Sequence, residues 1–214
     1  MWLRFAVTAA ATITAISAQT WEIGPMGGYL KLSSKFIGSA NTNDPKTDDT
    51  KLHSLQPAYG AFITRNTKGY YGFELDFLRS KARMDTKLIP ATSTDRVPES
   101  GTVYLNQLSI NGICYFMPNG ERFRPFVTAG GQVSMFGTPR IKDWPFTDSR
   151  KIGFNFGGGL KIRLFKNANF RLDVRDIIIG APYDLQLPTN ASGGFSSVGL
   201  FKQLQGTMGI GITF

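Results

Sequence analysis

The stretch IGFNFGGGLKIRL, residues 152–164, alternates between apolar side chains and polar or glycine positions along its whole length. Ile152 and Phe154 belong to one set, and Asn155 and Lys161 belong to the other. Because successive side chains of a β-strand point to opposite faces, this pattern predicts a strand with one apolar face. The stretch is also longer than the roughly 5–6 residues of an ordinary strand, which suggests that it crosses a membrane.

Similar stretches recur from one end of the chain to the other. Each is long enough for the roughly 9–11 residues with which a tilted strand crosses the hydrocarbon of a bilayer. The alternation is clearest in the third, sixth, seventh and last stretches, and the register of the others is less well defined. The predicted strands are residues 21–32, 54–64, 69–80, 102–117, 123–136, 150–164, 169–179 and 202–214.

The connections between these strands alternate in length. The short ones are residues 65–68, 118–122 and 165–168. The long ones are residues 33–53, 81–101, 137–149 and 180–201. Short periplasmic turns and long external loops are typical of outer-membrane barrels, and an even number of strands puts both termini in the periplasm. We therefore predict an all-β fold, an eight-stranded antiparallel up-and-down transmembrane β-barrel.

Composition narrows the function classes. Charged residues are 18% of the chain, below the roughly 25% that is usual in soluble proteins. One Cys and one His argue against a disulfide framework and against a metal cluster, so we expect no metal and no cofactor. The net charge is +9, but no basic run exceeds two residues, and nucleic-acid binding is not expected.

The N-terminus reads as an export signal. Arg4 is followed by an uncharged stretch that is too short to span a bilayer, and Ala18 is a small residue at a suitable cleavage point. The pattern predicts a signal peptide at residues 1–18 and a barrel domain at residues 19–214. Cleavage after Ser17 is an alternative, and an N-terminal membrane anchor is the competing interpretation.

Three stretches carry a resemblance to a known family. They are FVTAGGQ at residues 126–132, GFNFGGGLKIRL at residues 153–164 and FRLDVRD at residues 170–176. Together they resemble the small outer-membrane β-barrel domain family, the OmpA/OmpX-like group, and the resemblance covers residues 21–214. It implies that the terminal Phe214 is the signal that the barrel-assembly machinery recognises.

A set of charged side chains falls on the polar face of the clearest strands. In so narrow a barrel they are expected to lie in the lumen and to pair across it, because a buried charge without a partner costs several kcal/mol. Two interpretations stay open: a structural plug, and a gate that opens and conducts. The four cations and three carboxylates of this set also predict a net excess of one positive charge. The predicted lumen charges are Glu74, Asp76, Lys161, Arg163, Arg171, Asp173 and Arg175.

Signs of catalysis are sparse. His53 is next to Ser54 near the predicted external rim, and some small outer-membrane barrels that modify lipid A have Ser and His there. Adjacent residues of a strand point to opposite faces, so the two are poor partners, and no catalytic residue is predicted. Cys114 falls on an apolar face, which indicates a lipid-facing position. Residues 157–159 are three glycines that permit curvature and close strand packing rather than a phosphate loop.

We therefore expect a scaffold that presents four external loops and is not an enzyme, because the sequence pattern contains no defined catalytic site. Rival interpretations are a narrow pore or transporter for small molecules and a lipid A-modifying enzyme. The expected partners are outer-membrane lipids and the assembly machinery, with a monomeric protein in the membrane. Rim cations that suit lipid phosphates are Lys31, Arg79, Lys81, Arg150, Lys151 and Lys202.

Overall fold

The structure, a computed structural model, describes residues 20–33, 50–53, 55–67, 69–88, 97–142, 147–183 and 200–214. These residues form nine β-strands. The strands are β1 (Thr20–Leu32), β2 (Lys51–Leu52), β3 (Leu55–Asn66), β4 (Tyr71–Leu88), β5 (Val97–Tyr115), β6 (Phe123–Phe136), β7 (Ser149–Phe165), β8 (Ala168–Gly180) and β9 (Leu200–Thr213). The predicted signal peptide lies outside the described residues. In the described part of the chain, no helix has the length and apolarity needed to cross a membrane.

The eight long strands close into a barrel. Their order is β4-β3-β1-β9-β8-β7-β6-β5, and β4 also pairs with β5, which joins the two edges. Every pairing is antiparallel, and β2 is a short addition beside β4, where Lys51 pairs with Asp85. Closure satisfies the backbone hydrogen bonds of all eight long strands, which a sheet in hydrocarbon requires. The predicted fold class is confirmed.

The two ends of the barrel differ, and we name them by their connections. At the turn end, short connections join β3 to β4, β5 to β6 and β7 to β8. Gly120 in the second of these has a φ of 120°, a left-handed conformation that glycine adopts without strain. At the loop end, the longer connections join the other strands, and most of their residues lie outside the described ranges.

The β4–β5 hairpin is longer than the sequence indicated. Pairing continues to Leu88 opposite Val97. The prediction of a loop at residues 81–101 is therefore wrong for most of these residues, which are strand. Ala82 and Met84 continue the inward face there, while the residues between and beside them are charged. Charged side chains on the outer face are not stable against lipid, but they are solvated where a strand continues beyond the membrane. The β4–β5 hairpin therefore extends past the membrane, and β2 pairs with its β4 strand there.

The assignment of faces in β7 agrees with the sequence pattern. Ile152 is 82% exposed and Phe154 is 51% exposed on the outside, whereas Asn155 is fully buried and Lys161 is 3% exposed inside. The glycines of residues 157–159 lie within the strand, where a Cβ on Gly157 would collide with a backbone carbonyl of β8. They allow close approach of two strands, as predicted.

Candidate functional site

A network of charged side chains crosses the lumen in the half of the barrel nearer the turn end, and we call it the charged layer. Glu74 and Asp76 project from β4, and three further residues project from β8. Alternate residues of a strand share a face, so each strand delivers its charges to the lumen together. The strands β4 and β8 are four places apart in either direction around the eight-strand barrel, so they stand on opposite walls. The layer consists of Glu74, Asp76, Arg171, Asp173 and Arg175.

Arg175 holds the two walls together. Its Nη1 donates to Asp76 Oδ2 at 2.7 Å, and its Nη2 donates to Glu74 Oε1 at 2.7 Å and to Asp173 Oδ2 at 2.9 Å. Arg171 bonds to Glu74 as well, and its Nη2 lies 2.5 Å from Asp173 Oδ2. Each of these five side chains is at most 5% exposed. The bore is therefore filled at this level by ion pairs that span it.

Neutral groups complete the coordination of the three carboxylates. Thr64 Oγ1 donates to Glu74 at 2.7 Å. Asn111 Nδ2 donates to Asp76 at 2.8 Å, and Thr207 Oγ1 donates to Asp173 at 2.9 Å. The donors come from β3, β5 and β9, so the layer and its neutral partners draw on five of the eight long strands.

Lys161 also lies in the lumen, but its ion pair is nearer the turn end than the charged layer is. Its Nζ donates to Glu22 Oε2 at 2.6 Å and to the Tyr115 hydroxyl at 3.0 Å. That hydroxyl donates to Asn66 Oδ1 at 2.7 Å. Sequence reasoning missed Glu22, although the apolar neighbours on both sides of it were the signal for an inward position. Glycine and proline in β1 obscured its alternation.

Arg163 lies apart from the charged layer. It is half-buried near the turn end and lines a cavity of about 300 Å³ there. The expected excess of positive charge in the network is wrong. Among the described residues, three paired cations of the lumen meet four carboxylates, because Glu22 joins the set and Arg163 leaves it.

A belt of polar side chains lies on the loop side of the charged layer. Gln107 Nε2 donates to Gln203 Oε1 at 2.6 Å, across the barrel from β5 to β9. Ser109 and Gln132 also bond to each other, with their oxygens 3.2 Å apart. Several polar atoms of the belt lack partners within the described residues, including Gln107 Oε1 and Gln203 Nε2.

The loop half of the interior is apolar, which the sequence did not predict. Leu30, Leu105 and Ile177 are completely buried there. The ring of Phe136 lies 6.5 Å from that of Phe201, between centroids, and closes part of the bore. Other members of this apolar core are Leu32, Leu52, Leu78, Ala82, Met84, Val103, Ile141, Ile179 and Tyr183.

His53 stands on the part of the barrel wall beyond the membrane. Its Nε2 lies 2.8 Å from Asp85 Oδ2, and Arg83 Nε donates to the other oxygen of Asp85 at 3.2 Å. Desolvation raises the pKa of Asp85, but the hydrogen bond and charge of His53 outweigh it and hold that pKa below its usual value. Ser54 lies outside the described residues. Within the described part, the His53 ring bonds to a carboxylate rather than to a nucleophile.

The other candidate residues have simple surroundings. Cys114 is a half-buried free thiol that pairs in register with Tyr71. Phe214 is 66% exposed at the turn end, and its backbone N–H donates to Trp21 O at 2.9 Å. Its part in assembly stays a prediction. Among the described residues, no group of three or more His, Cys, Asp or Glu side chains could hold a metal ion.

A closed barrel with a lipid-facing apolar surface and a polar, ion-paired centre defines a membrane-spanning β-barrel protein. The family model described as "Outer membrane protein beta-barrel domain" matches residues 5–200, and the chain belongs to this family. The resemblance to small outer-membrane barrels is thereby confirmed, and the family places the protein in the outer membrane.

Solved structures support the fold. OprG from Pseudomonas aeruginosa matches with a TM-score of 0.58 at 15% identity, covering 92% of this chain and 96% of that one. Neisserial surface protein A matches with a TM-score of 0.53 at 12% identity, covering 91% and 97%. The N-terminal barrel domain of Pseudomonas aeruginosa OprF gives 0.51 at 15% identity, covering 92% and 98%. No curated protein sequence matches the chain.

Proposed function

We propose that this protein is a membrane-embedded scaffold whose lumen is closed to ions and whose loop end faces the exterior. The observation that carries the proposal is Arg175, which bonds from one wall of the barrel to Glu74 and Asp76 on the opposite wall. An open gate would have to part these groups. Removing one partner of a buried ion pair costs about 3–5 kcal/mol, so a resting barrel keeps them together.

Flux into lipid vesicles tests the closed lumen. Vesicles that contain the wild-type protein should lose a chloride gradient no faster than empty vesicles. The double change Arg171→Ala with Arg175→Ala is the positive control, because it removes both long side chains that cross the bore. Rapid chloride loss through the wild type would support a pore instead.

The orientation forms part of the same proposal. We place the turn end and both termini in the periplasm, because short turns face that compartment in outer-membrane barrels. A peptide tag after Phe214 should be protected from added protease in intact cells and cleaved once the outer membrane is opened. A tag that is cleaved in intact cells would reverse the orientation.

Surrounding lipids are the partners that we assign to the loop-end rim. Lys31, Lys81 and Lys202 are exposed on the outward face, and Arg79 stacks over Tyr104 at 5.0 Å from its ring centroid. Cations just beyond an apolar band suit lipid phosphates. We further propose that the barrel is a monomer and that Phe214 is its assembly signal. Cross-linking in the membrane and a Phe214→Ala variant, which should assemble poorly, test these two points.

A second function, binding or passage of small apolar molecules, is favoured by the apolar interior of the loop half. Leu30, Phe136 and Phe201 are buried among other apolar side chains there, so an apolar molecule that displaced them would meet no charge. Quenching of an apolar fluorescent probe by the protein in micelles tests this function. Saturable binding that Phe201→Asp abolishes would support it, provided that Phe165→Asp, at a position 74% exposed at the turn end, leaves the binding intact. The absence of saturable binding would exclude it.

A further inference from the structure

The turn end of the barrel contains a cavity that none of the ion pairs of the charged layer explains. Its volume is about 300 Å³, room for about ten water molecules. Lys161 forms its inner wall, and the bond from Lys161 to Glu22 separates it from the charged layer. The cavity is therefore a blind pocket, open at the turn end, and not a section of a channel.

The walls of this pocket are strongly cationic. Arg124, Lys161, Arg163 and Lys166 line it, and Glu121 is the carboxylate among its described lining residues. Lys161 is already neutralised by its ion pair with a residue outside the lining. The remaining cations outnumber the carboxylate, which is the electrostatic setting of an anion site.

Arg124 is the unusual member of this group. It is only 4% exposed, yet its guanidinium makes no ion pair within the described part of the chain. It donates to the carbonyl oxygens of Met117 and Gly69 at 3.3 and 3.4 Å and to Asn119 Oδ1 at 3.4 Å. These hydrogen bonds to neutral oxygens are longer than the usual range of about 2.7–3.2 Å for N–H···O bonds.

Arg163 adds a second guanidinium without an ion pair among the described residues. It is close enough to repel Arg124 electrostatically. Glu22 attracts Arg124, but its Oε2 is bound to Lys161. Two neighbouring guanidiniums that line one cavity of about 300 Å³ are an arrangement that can bind a phosphate through paired hydrogen bonds.

We propose that this pocket binds a small phosphate-bearing anion, about the size of inorganic pyrophosphate or a sugar phosphate. Arg124 and Arg163 would bind the phosphate oxygens, and Lys166 would add charge at the mouth. The amides of Asn119 and Asn169, which also line the pocket, are available to the rest of the molecule. The chemistry of the site does not depend on the orientation or on the closed lumen proposed above.

Calorimetric titration of the full-length protein in a neutral detergent with inorganic pyrophosphate tests the proposal. We expect saturable binding, weakened about tenfold or more by Arg163→Gln, because hydrogen bonds to charged groups contribute about 1.5–3 kcal/mol. Arg122→Gln is the matched control: it makes the same change in charge at the same end, but Arg122 is exposed and stacks towards Phe123. The shift of the folded band on an unheated gel shows that each variant is folded.

The outcomes are distinct. Binding that Arg163→Gln weakens and Arg122→Gln preserves supports the site. No saturable binding by the wild type, or equal loss in both variants, overturns it. Parallel titrations with glucose 6-phosphate and with a short-chain phosphatidic acid distinguish the source: preference for the first indicates a free metabolite, and preference for the second indicates a lipid headgroup.

Discussion

The two halves of the barrel interior are built from the same alternating strands but stabilised by different physics. In the turn half, Arg171 and Arg175 meet carboxylates of the opposite wall in geometrically specific ion pairs. In the loop half, side chains such as Leu30 and Ile177 exclude water by packing. The alternation of side chains along a strand therefore determines which residues face inward. The side chains of the opposite wall determine whether an inward position is stable with a charged or an apolar residue.

The two halves should also respond differently to the loss of a buried side chain. A packed apolar interior tolerates loss of a group by partial relaxation around the cavity. A buried ion network does not, because deletion of one member leaves its partners charged and unsolvated. Substitutions in the two halves should therefore lower the free energy of unfolding by different amounts.

Loss of Arg175 should be the most damaging single change. Arg175→Met leaves Glu74, Asp76 and Asp173 with one guanidinium between them, and we expect the free energy of unfolding to fall by about 3–5 kcal/mol. Urea unfolding of protein folded in lipid vesicles measures this, with the exposed Arg122→Met as the control. A loss no larger than that of the control would show that the network does not stabilise the barrel.

Leu30→Ala should cost about 3 kcal/mol in the same assay, because it opens a cavity in the loop half. Leu204→Ala is the control on the outer face, where Leu204 is 46% exposed and lipid can fill the space. Equal costs at the two positions would mean that the loop half is loosely packed, and the contrast between the halves would weaken.

The polar belt forms the boundary between the two halves, and we expect that apolar side chains can replace its Gln107–Gln203 pair. Gln203→Leu removes the acceptor of Gln107 Nε2, and we expect a loss of about 1–3 kcal/mol. The double change of both residues to Leu should recover stability to within about 1 kcal/mol of the wild type, because neither amide is then left unpaired. A double variant as unstable as the sum of the single ones would show that the polar belt is required.

The smallest effect should come from His53 and Asp85, outside both halves. Because the pKa of Asp85 is lowered in the folded protein, its contribution is complete above the ordinary value of about 3.9 and is lost as the pH falls through the lowered pKa. Asp85→Asn should reduce the free energy of unfolding at pH 7 by less than about 1 kcal/mol. The difference from the wild type should vanish in strong acid, and a difference that grows on acidification would contradict this.

The sequence predicted the strands and the inward charges wherever alternation was clean. Glu74 and Asp76 of β4 and Arg171 of β8 are examples, because apolar neighbours on both sides fixed their face. It could not predict the apolar loop half: Ile177 belongs to a run in which both faces are apolar, so the period of two disappears. Nor could the sequence show which residues pair across the bore, because four successive strand pairings separate β4 from β8 in either direction.

The alternation of apolar and polar residues also could not predict the length of the β4–β5 hairpin. Lys81 and Arg83 lie in the predicted loop of residues 81–101. The strand simply continues beyond the lipid, where outward charges are solvated and inward Met84 is still covered. A hydrophobic pattern therefore marks the end of the membrane band, and not the end of the strand.

Single-channel recording in planar bilayers tests the claim that ion pairs spanning the lumen close it. We predict negligible conductance for the wild-type protein. The double change Glu74→Ala with Asp76→Ala should destabilise the barrel and open a small leak that prefers anions, because the arginines of β8 then remain without these partners. Steady, large channels in the wild type, with a conductance that the double change does not alter, would contradict the claim.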